Sequence, residues 1–237
     1  MVMRQRSLQL ELLDQPDIPA EDIRRNMYEL NIINTWLGGH AITIAGIKKL
    51  LSGKKRISIC EIGCGGGDNL LAIAGWCMRN GIEASFTGID INRWCIETAQ
   101  EKWQQQSVMP GIEKPQFIVS DYRLAQFSTK PDIIFSSLFC HHFTNEELVQ
   151  QLQWMQRNAS TGFFINDLHR HRVAEFSIRL LTRLFSRSYL VRHDAPLSVK
   201  RSFVKNDWKD LFQQAGFSNF SVQWKWAFRW LVTVINN

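Results

Sequence analysis

Apolar residues begin to recur at every third or fourth position shortly after Pro19. The stripe consists of Ile23, Met27, Leu30, Ile33 and Leu37. This spacing predicts an amphipathic helix that carries acids in its first turn and ends at Gly38-Gly39. A second helix is predicted over residues 41–51. The first 18 residues show no comparable period, and we expect them to form a loosely held tail.

From residue 56 onward, short apolar runs alternate with segments of helical spacing. The predicted strands are 57–62, 85–90, 116–119, 132–136 and 162–167, and the predicted helices between them are 68–80, 92–106 and 145–158. A helix at 208–215 and two strands, 218–226 and 228–235, close the chain. Such alternation is typical of an α/β fold with a mostly parallel, doubly wound sheet covered by helices on both faces. The pattern therefore predicts a seven-stranded, Rossmann-like sheet preceded by N-terminal helices.

A different pattern follows the fifth strand. Residues 172–187 are predicted to form an amphipathic helix with an apolar stripe, and residues 189–200 a loop that Pro196 interrupts. The stripe consists of Val173, Phe176, Leu180 and Leu184. We therefore expect two parts: an N-terminal helical lid segment at 1–52, and a main domain at 53–237 with a helical lid insertion at about 169–203.

The most informative stretch is the glycine loop that follows the first core strand. It reads Glu61-Ile-Gly63-Cys-Gly65-Gly-Gly67-Asp68. A dinucleotide loop reads G-x-G-x-x-G and presents amide groups to a pyrophosphate. Here Asp68 stands at the third glycine position and Glu61 precedes the loop, so carboxylates would repel a phosphate. They suit a ligand that carries an ammonium and a sulfonium, and Asp90, at the end of the second strand, is placed to hold ribose hydroxyls.

The loop matches E/D-x-G-x-G-x-G, and the chain resembles the class I S-adenosylmethionine-dependent methyltransferases. That resemblance implies S-adenosyl-L-methionine (SAM) as methyl donor and S-adenosyl-L-homocysteine (SAH) as product. It implies an adenine contact for Asp121 and ring packing for Tyr122. The cofactor-binding residues it implies are Glu61, Gly63, Cys64, Gly65, Asp68, Asp90, Ile91, Asp121, Tyr122 and Ser137. No metal is expected, because the sulfonium is itself the electrophile.

The exit of the fourth strand, residues 136–143, contains the sequence Phe-Cys-His-His. The N/D-P-P-Y/F motif of nucleic-acid amino methylases is absent there, which argues against amino methylation of bases. His141 or His142 is the candidate general base, with His169 next, because an imidazole titrates near neutral pH. A structural role for each histidine, and catalysis by proximity alone, stay open. A Cys140–His141 dyad is disfavoured because neighbours on an extended chain point to opposite faces.

A narrower resemblance is to bacterial small-molecule methyltransferases that act beside polyketide or aromatic-lipid biosynthesis enzymes. It rests on Trp36–Gly39, Phe139–His142 and Asp167–Arg170. It implies a small-molecule acceptor and favours O-methylation of an aromatic or polyketide-like hydroxyl. Carbon methylation of an activated ring or quinone precursor is the nearest alternative. A cofactor-binding subunit without catalytic activity is also compatible with the pattern.

The positive charge of the chain is concentrated in one segment. The net charge is +6. Residues 169–201 contain eight Lys or Arg and two acids, so this segment accounts for all of it. This segment is compatible with a substrate lid that has a solvated basic rim, or with contact of the basic 170–187 helix with an anionic membrane surface. It is also compatible with a partner or nucleic-acid surface, in which case the chain would be an RNA or protein methyltransferase that uses residues 169–201. The five cysteines form no C-x-x-C pair and are expected to be reduced thiols. No apolar leader or membrane-length run is evident, so a cytoplasmic location is expected.

Overall fold

A seven-stranded sheet lies at the centre of the computed structural model, which describes residues 3, 5–15 and 17–236. The strands are Arg56–Ile62 (β1), Glu83–Asp90 (β2), Gln116–Val119 (β3), Ile133–Ser137 (β4), Gly162–Leu168 (β5), Ser221–Lys225 (β6) and Arg229–Ile235 (β7). The helices are Ala20–Trp36 (α1), Gly39–Leu50 (α2), Asp68–Arg79 (α3), Arg93–Gln104 (α4), Asn145–Asn158 (α5), Arg172–Phe185 (α6), Tyr189–Arg201 (α7) and Lys205–Gln214 (α8).

The strand order is β3-β2-β1-β4-β5-β7-β6. The first five strands run parallel, and β7 pairs antiparallel with both β5 and β6. The chain reverses its direction of growth between β1 and β4, which are neighbours in space but not in sequence. In open α/β sheets a ligand binds outside the carboxyl ends of the strands at such a switch point. The doubly wound fold expected from the alternation is confirmed.

Alternation along the strands creates a core on each face of the sheet. Cys60 and Ile134 face one layer, where they meet the buried side chains of α5 and α8. Ile59 and Phe135 face the other layer, against α2 and α3. On that side the rings of Phe135 and Phe164 stack with centroids 4.9 Å apart. Among the described residues, no helix is both long and apolar enough to span a bilayer.

Helix α7 corrects the loop predicted at 189–200. Ser188 caps the helix, its Oγ accepting a hydrogen bond from the Val191 amide at 3.3 Å. Leu190, Val191 and Leu197 are buried. Pro196 lies inside the helix. It removes one backbone donor, and the burial of this apolar face outweighs that local cost.

The N-terminal segment corrects a second prediction. Residues 5–15, here called the N-terminal strap, lie against α7 rather than forming a loose tail. The amides of Leu12 and Leu13 donate to the buried Asp194 carboxylate at 2.8 and 3.0 Å. The Ser7 amide donates to the Lys200 carbonyl at 3.0 Å. Residues 1, 2, 4 and 16 of the predicted tail lie outside the described residues.

Candidate cofactor and acceptor site

The glycine loop makes a tight turn from β1 into α3. Gly63, Gly65 and Gly67 have φ values of +65°, +50° and +72°, a region that favours glycine. A Cβ on Gly63 would lie 2.2 Å from the ring of Phe139, which follows β4. The loop is therefore packed directly against the exit of β4, and the cofactor and acceptor residues predicted from the sequence lie side by side.

Glu61, at the end of β1, is 1 % exposed. Its Oε1 accepts a hydrogen bond from Asn69 Nδ2 at 2.8 Å, whereas Oε2 has no partner among the described residues. Burial raises the pKa of Glu61 well above its usual value. A buried carboxylate with one unsatisfied oxygen fits a cationic or hydrogen-bond-donating ligand group, as the ammonium of SAM would be.

Asp90 lies beside the loop at the end of β2. Its Oδ2 accepts from the Gly65 amide at 2.8 Å and its Oδ1 accepts from the Asn92 amide at 2.9 Å. Burial raises the pKa of Asp90 against the opposing effect of these two hydrogen bonds. The next side chain, Ile91, is 75 % exposed. Cys64 is buried in the loop. The structure thus brings together Glu61, Gly63, Gly65 and Asp90.

Two other candidate acids are held by nearby cations. Asp68 Oδ1 accepts from Lys102 Nζ of α4 at 2.7 Å. Asp121 accepts from Arg123, and this hydrogen bond lowers the pKa of Asp121. Both carboxylates therefore already have a charged partner on the protein.

The ring of Tyr122 packs against other aromatic side chains. It is 6 % exposed and packs edge-on against Trp154, with ring centroids 5.1 Å apart. Burial raises the pKa of its hydroxyl to about 12. The ring therefore contacts the core on this side, and its packing on an adenine stays a prediction.

Helices α1 and α2 contribute polar residues that the sequence analysis missed. His40 Nδ1 lies 2.8 Å from Asn69 Oδ1, and His40 Nε2 lies 3.0 Å from Asn31 Oδ1. Asn69 in turn holds Glu61. Asn26 is buried, and its Nδ2 has no partner among the described residues. The available signal was polar residues on an otherwise apolar helix face and an asparagine in the first turn after the loop.

His141 lies at the exit of β4 and is 3 % exposed. Its Nδ1 is 2.8 Å from Oδ1 of Asp167, a fully buried residue of β5. Burial alone would raise the pKa of Asp167, but the charge and hydrogen bond of His141 outweigh it and lower that pKa. The other ring nitrogen of His141, Nε2, lies 3.6 Å from Oε1 of Glu11 in the N-terminal strap.

His142 also faces the strap. Its Nδ1 lies 3.0 Å from Asp14 Oδ1, and its Nε2 lies 3.8 Å from Glu11 Oε2. Burial alone would lower the pKa of His142, but the hydrogen bond with Asp14 and the charge of Glu11 raise it. Glu11 and Asp14 were missed because the segment that carries them was expected to be loose. The ligand atoms of Glu11, His141 and His142 lie within 4.8 Å of one another and could hold a metal ion.

The other residues singled out from the sequence are His169, Ser137 and Cys140. His169 Nδ1 accepts from Trp224 Nε1 at 3.3 Å, and burial, followed by the charges of His171 and Arg170, lowers the pKa of His169 to about 4. Ser137 is buried at the end of β4, with its Oγ 3.4 Å from Asn166 Nδ2. Burial raises the pKa of the Cys140 thiol, which does not suit a nucleophile.

One family model of known proteins matches part of the chain. The family model described as "Methyltransferase domain" matches residues 59–162. No curated protein sequence matches the chain significantly. Among solved structures, the plantazolicin methyltransferase BpumL in complex with SAH is similar at 16 % identity and a TM-score of 0.65, over 92 % of this chain and 93 % of that one.

Two further solved structures are similar. Magnesium protoporphyrin IX methyltransferase (ChlM) from Synechocystis PCC 6803 with bound SAM has 16 % identity and a TM-score of 0.55, over 94 % of this chain and 100 % of that one. A candidate O-methyltransferase from Nostoc punctiforme PCC 73102 has 14 % identity and a TM-score of 0.56, over 81 % of this chain. The match spans only 56 % of the Nostoc protein's length.

The matched family model covers β1 through the start of β5, including the glycine loop, Asp90 and the histidine pair. Two of the similar structures contain SAM or SAH, and they share the fold that positions those residues. Residues 59–162 therefore match a methyltransferase domain, and the chain has the class I fold of the SAM- and SAH-bound methyltransferases that it resembles.

Proposed function

We propose that this methyltransferase transfers the methyl group of SAM to a hydroxyl of a small, aromatic or polyketide-like molecule. The observation that carries the proposal is the buried Asp167–His141 pair, with 2.8 Å between carboxylate oxygen and Nδ1. An imidazole whose Nδ1 is fixed by a carboxylate presents Nε2 to a hydroxyl proton. The pair stands at the exit of β4, which the Phe139–Gly63 contact joins to the glycine loop.

The transfer is an in-line displacement. The hydroxyl oxygen attacks the methyl carbon, the carbon–sulfur bond breaks, and SAH leaves with the electron pair on sulfur. The acceptor oxygen must be held about 3 Å from the methyl carbon, collinear with sulfur. The hydroxyl proton is lost on the side of His141 and His142. Asp167 is a positioning residue, because it acts on the acceptor only through His141.

The cofactor contacts are part of the same proposal. Glu61 would receive the ammonium group, for which its Oε2 is available among the described residues. Asp90 would hold the ribose hydroxyls and Ile91 would lie on the adenine. Gly63, Cys64 and Gly65 would line the turn, while Asp68, Asp121 and Ser137 would border it. His169 lies against Trp224, so we place it outside the reacting centre.

The name of one similar structure supports a small organic acceptor, since it specifies magnesium protoporphyrin IX. Methylation of an activated ring carbon would use the same geometry and remains the nearest alternative. An RNA acceptor is less well supported, because part of the basic segment is used internally. Arg170 donates to the Ser202 carbonyl and to Asp207, and Arg201 holds the carbonyls of His141 and His142.

The outward face of α6 favours a membrane surface as the place where the acceptor is met. Its apolar side chains are exposed: Val173 51 %, Phe176 65 %, Leu180 48 %, Leu181 41 %, Leu184 64 % and Phe185 78 %. A lid over the acceptor would turn this stripe inward. Exposed arginines flank the stripe at 172, 179, 183 and 187. A basic amphipathic helix of this kind suits an anionic bilayer surface, and the acceptor would then be an amphiphile.

Incubation with methyl-labelled SAM and a fractionated cell extract tests the reaction class. We expect label in the lipid-soluble small-molecule fraction with the wild-type protein and far less with His141→Asn. His171→Asn is the matched control, because Asn also caps a helix and His171 begins α6. Label in RNA or in protein, or equal labelling by His141→Asn, would contradict the proposal.

A further inference from the structure

We propose that Glu11, His141 and His142 form a binding site for a divalent transition-metal ion of the zinc type. Two imidazoles and one carboxylate are a donor set that zinc uses in proteins, with further positions left open. The ligands come from two distant parts of the chain, the N-terminal strap and the exit of β4. No metal was expected from the sequence, because the sulfonium is itself the electrophile and Glu11 gave no signal there.

The side chains of Glu11, His141 and His142 bring their ligand atoms close together. Glu11 Oε1 is 3.6 Å from His141 Nε2, and Glu11 Oε2 is 3.8 Å from His142 Nε2. All the candidate ligand atoms lie within 4.8 Å of one another. Around a tetrahedral zinc with bonds of about 2.1 Å, ligand atoms lie roughly 3.4 Å apart. The two distances from Glu11, 3.6 and 3.8 Å, are close to this value.

The second ring nitrogen of each histidine is held by a carboxylate. His141 Nδ1 lies 2.8 Å from Asp167, and His142 Nδ1 lies 3.0 Å from Asp14. Carboxylates in this position fix the ring orientation and the tautomer of metal-bound histidines. With Nδ1–H donating to its carboxylate, each ring directs the lone pair of Nε2 toward Glu11. An isolated ion pair with Glu11 would not need both rings oriented in this way.

The surroundings hold the ligands in place and leave an entry path. Ser198 Oγ donates to Glu11 Oε1 at 2.7 Å. Arg201 holds the carbonyls of both histidines, and its Nε lies 3.9 Å from Glu11 Oε1. The Glu11 and His141 side chains are 4 % and 3 % exposed, whereas that of His142 is 21 % exposed. An ion would therefore enter past His142.

An ion at this point would fasten the N-terminal strap to the exit of β4. This second consequence rests on the proposed function: the ion would lie where the acceptor hydroxyl is expected and could lower the pKa of that hydroxyl. Because the ion would occupy Nε2 of both histidines, the proton would then pass to solvent instead of to His141, and the deprotonated oxygen would attack the methyl group. Binding of the ion itself does not depend on the acceptor or on SAM.

The test is a calorimetric titration of zinc chloride into untagged, chelator-treated protein without SAM. We expect one saturable ion per chain in the wild-type protein and at least about tenfold weaker binding in Glu11→Gln and His142→Asn. Asp167→Asn, which alters only a carboxylate behind His141, should weaken binding by about 10- to 100-fold. His171→Asn is the control for adventitious binding to a surface histidine and should bind as the wild type does.

Circular dichroism of each variant separates lost binding from lost folding. If Asp167→Asn does not fold, Glu11→Gln and His142→Asn decide, because Glu11 lies in the strap and His142 is partly exposed. Absence of saturable zinc binding by the folded wild-type protein, or unchanged binding by Glu11→Gln, would overturn the proposal. Methyl transfer that persists in zinc-free protein would leave the proposed function standing and remove only the ion's part in it.

Discussion

The ring of Phe139 lies so close to Gly63 that a Cβ on this glycine would come within 2.2 Å of it. Gly63 also has a φ of +65°, which costs an ordinary residue about 1–2 kcal/mol. Gly63→Ala should therefore displace either the glycine loop or the exit of β4. We expect SAM affinity to fall by more than about tenfold, measured by calorimetry, with a lower melting temperature.

Gly53 provides the matched control for that variant. It has a φ of +75°, yet a Cβ there would meet nothing within 4 Å. Gly53→Ala should lose stability only through its positive φ, because the added Cβ meets no other atom. It should bind SAM as the wild-type protein does. Equal SAM affinity in Gly63→Ala and Gly53→Ala would show that the Phe139 contact does not shape the cofactor site.

We expect Glu61 to lower the stability of the SAM-free protein and to raise its affinity for SAM. Burial raises the pKa of Glu61 well above its usual value, so its stability contribution is present at low pH and is lost as pH rises through the folded-state pKa. Glu61→Gln keeps the shape and removes the buried charge. Without SAM, we expect this variant to melt at the same or a higher temperature than the wild type, with the difference growing as pH rises.

The same variant should bind SAM poorly. A hydrogen bond to a charged group contributes about 1.5–3 kcal/mol, so the loss of affinity should be roughly 10- to 100-fold. The measurement is the rise in melting temperature on addition of SAM, which Glu61→Gln should largely lose. A Glu61→Gln protein that melts lower than the wild type and gains as much from SAM would refute the role of Glu61.

Asp132 illustrates a carboxylate that stabilises the fold. It accepts hydrogen bonds from the Ser58 amide at 2.9 Å, from Ser58 Oγ at 3.0 Å and from Lys54 Nζ at 2.5 Å. Burial would raise the pKa of Asp132, but these partners outweigh it and lower that pKa. Its stabilising contribution is therefore present above the unfolded-state pKa and is lost as pH falls through the folded-state pKa.

Asp132→Asn should lower the free energy of unfolding by about 1–3 kcal/mol at neutral pH, and by less in acid, where Asp132 of the wild type is itself protonated. Urea denaturation at several pH values measures this. Asp210→Asn, at an exposed position of α8, is the control and should change little at any pH. A penalty for Asp132→Asn that does not shrink in acid would show that the charge of Asp132 is not what stabilises β1 against β4.

The features that sequence reasoning recovered are local ones. The glycine loop, Glu61 and Asp90 follow from residue types at fixed positions after a strand, and the strand–helix alternation determines the sheet. The core contacts of Tyr122 could not be predicted, because position after a strand does not say which way a ring points. Glu11 was missed because its position depends on contacts with α7. Because of Pro196, a loop and not this helix was predicted there. Long-range packing of this kind leaves no period in the sequence.

The outward apolar face of α6 should bind anionic vesicles. Phe176 and Leu184 are 65 % and 64 % exposed, and burying one such side chain fully contributes about 1.5–3 kcal/mol. Partial insertion in the interface gives less, so Phe176→Ser combined with Leu184→Ser should weaken binding to phosphatidylglycerol-containing vesicles by about tenfold or more. Vesicle sedimentation measures this binding.

Val108→Ser is the control for that double variant, because Val108 is 94 % exposed and lies before β3, outside α6. It should sediment with vesicles as the wild type does. Because arginines flank the stripe, binding should also fall with added salt and be weak on purely phosphatidylcholine vesicles. If the double variant instead abolishes a dimer seen by light scattering and leaves vesicle binding unchanged, the face of α6 meets a second copy of the chain and not a membrane.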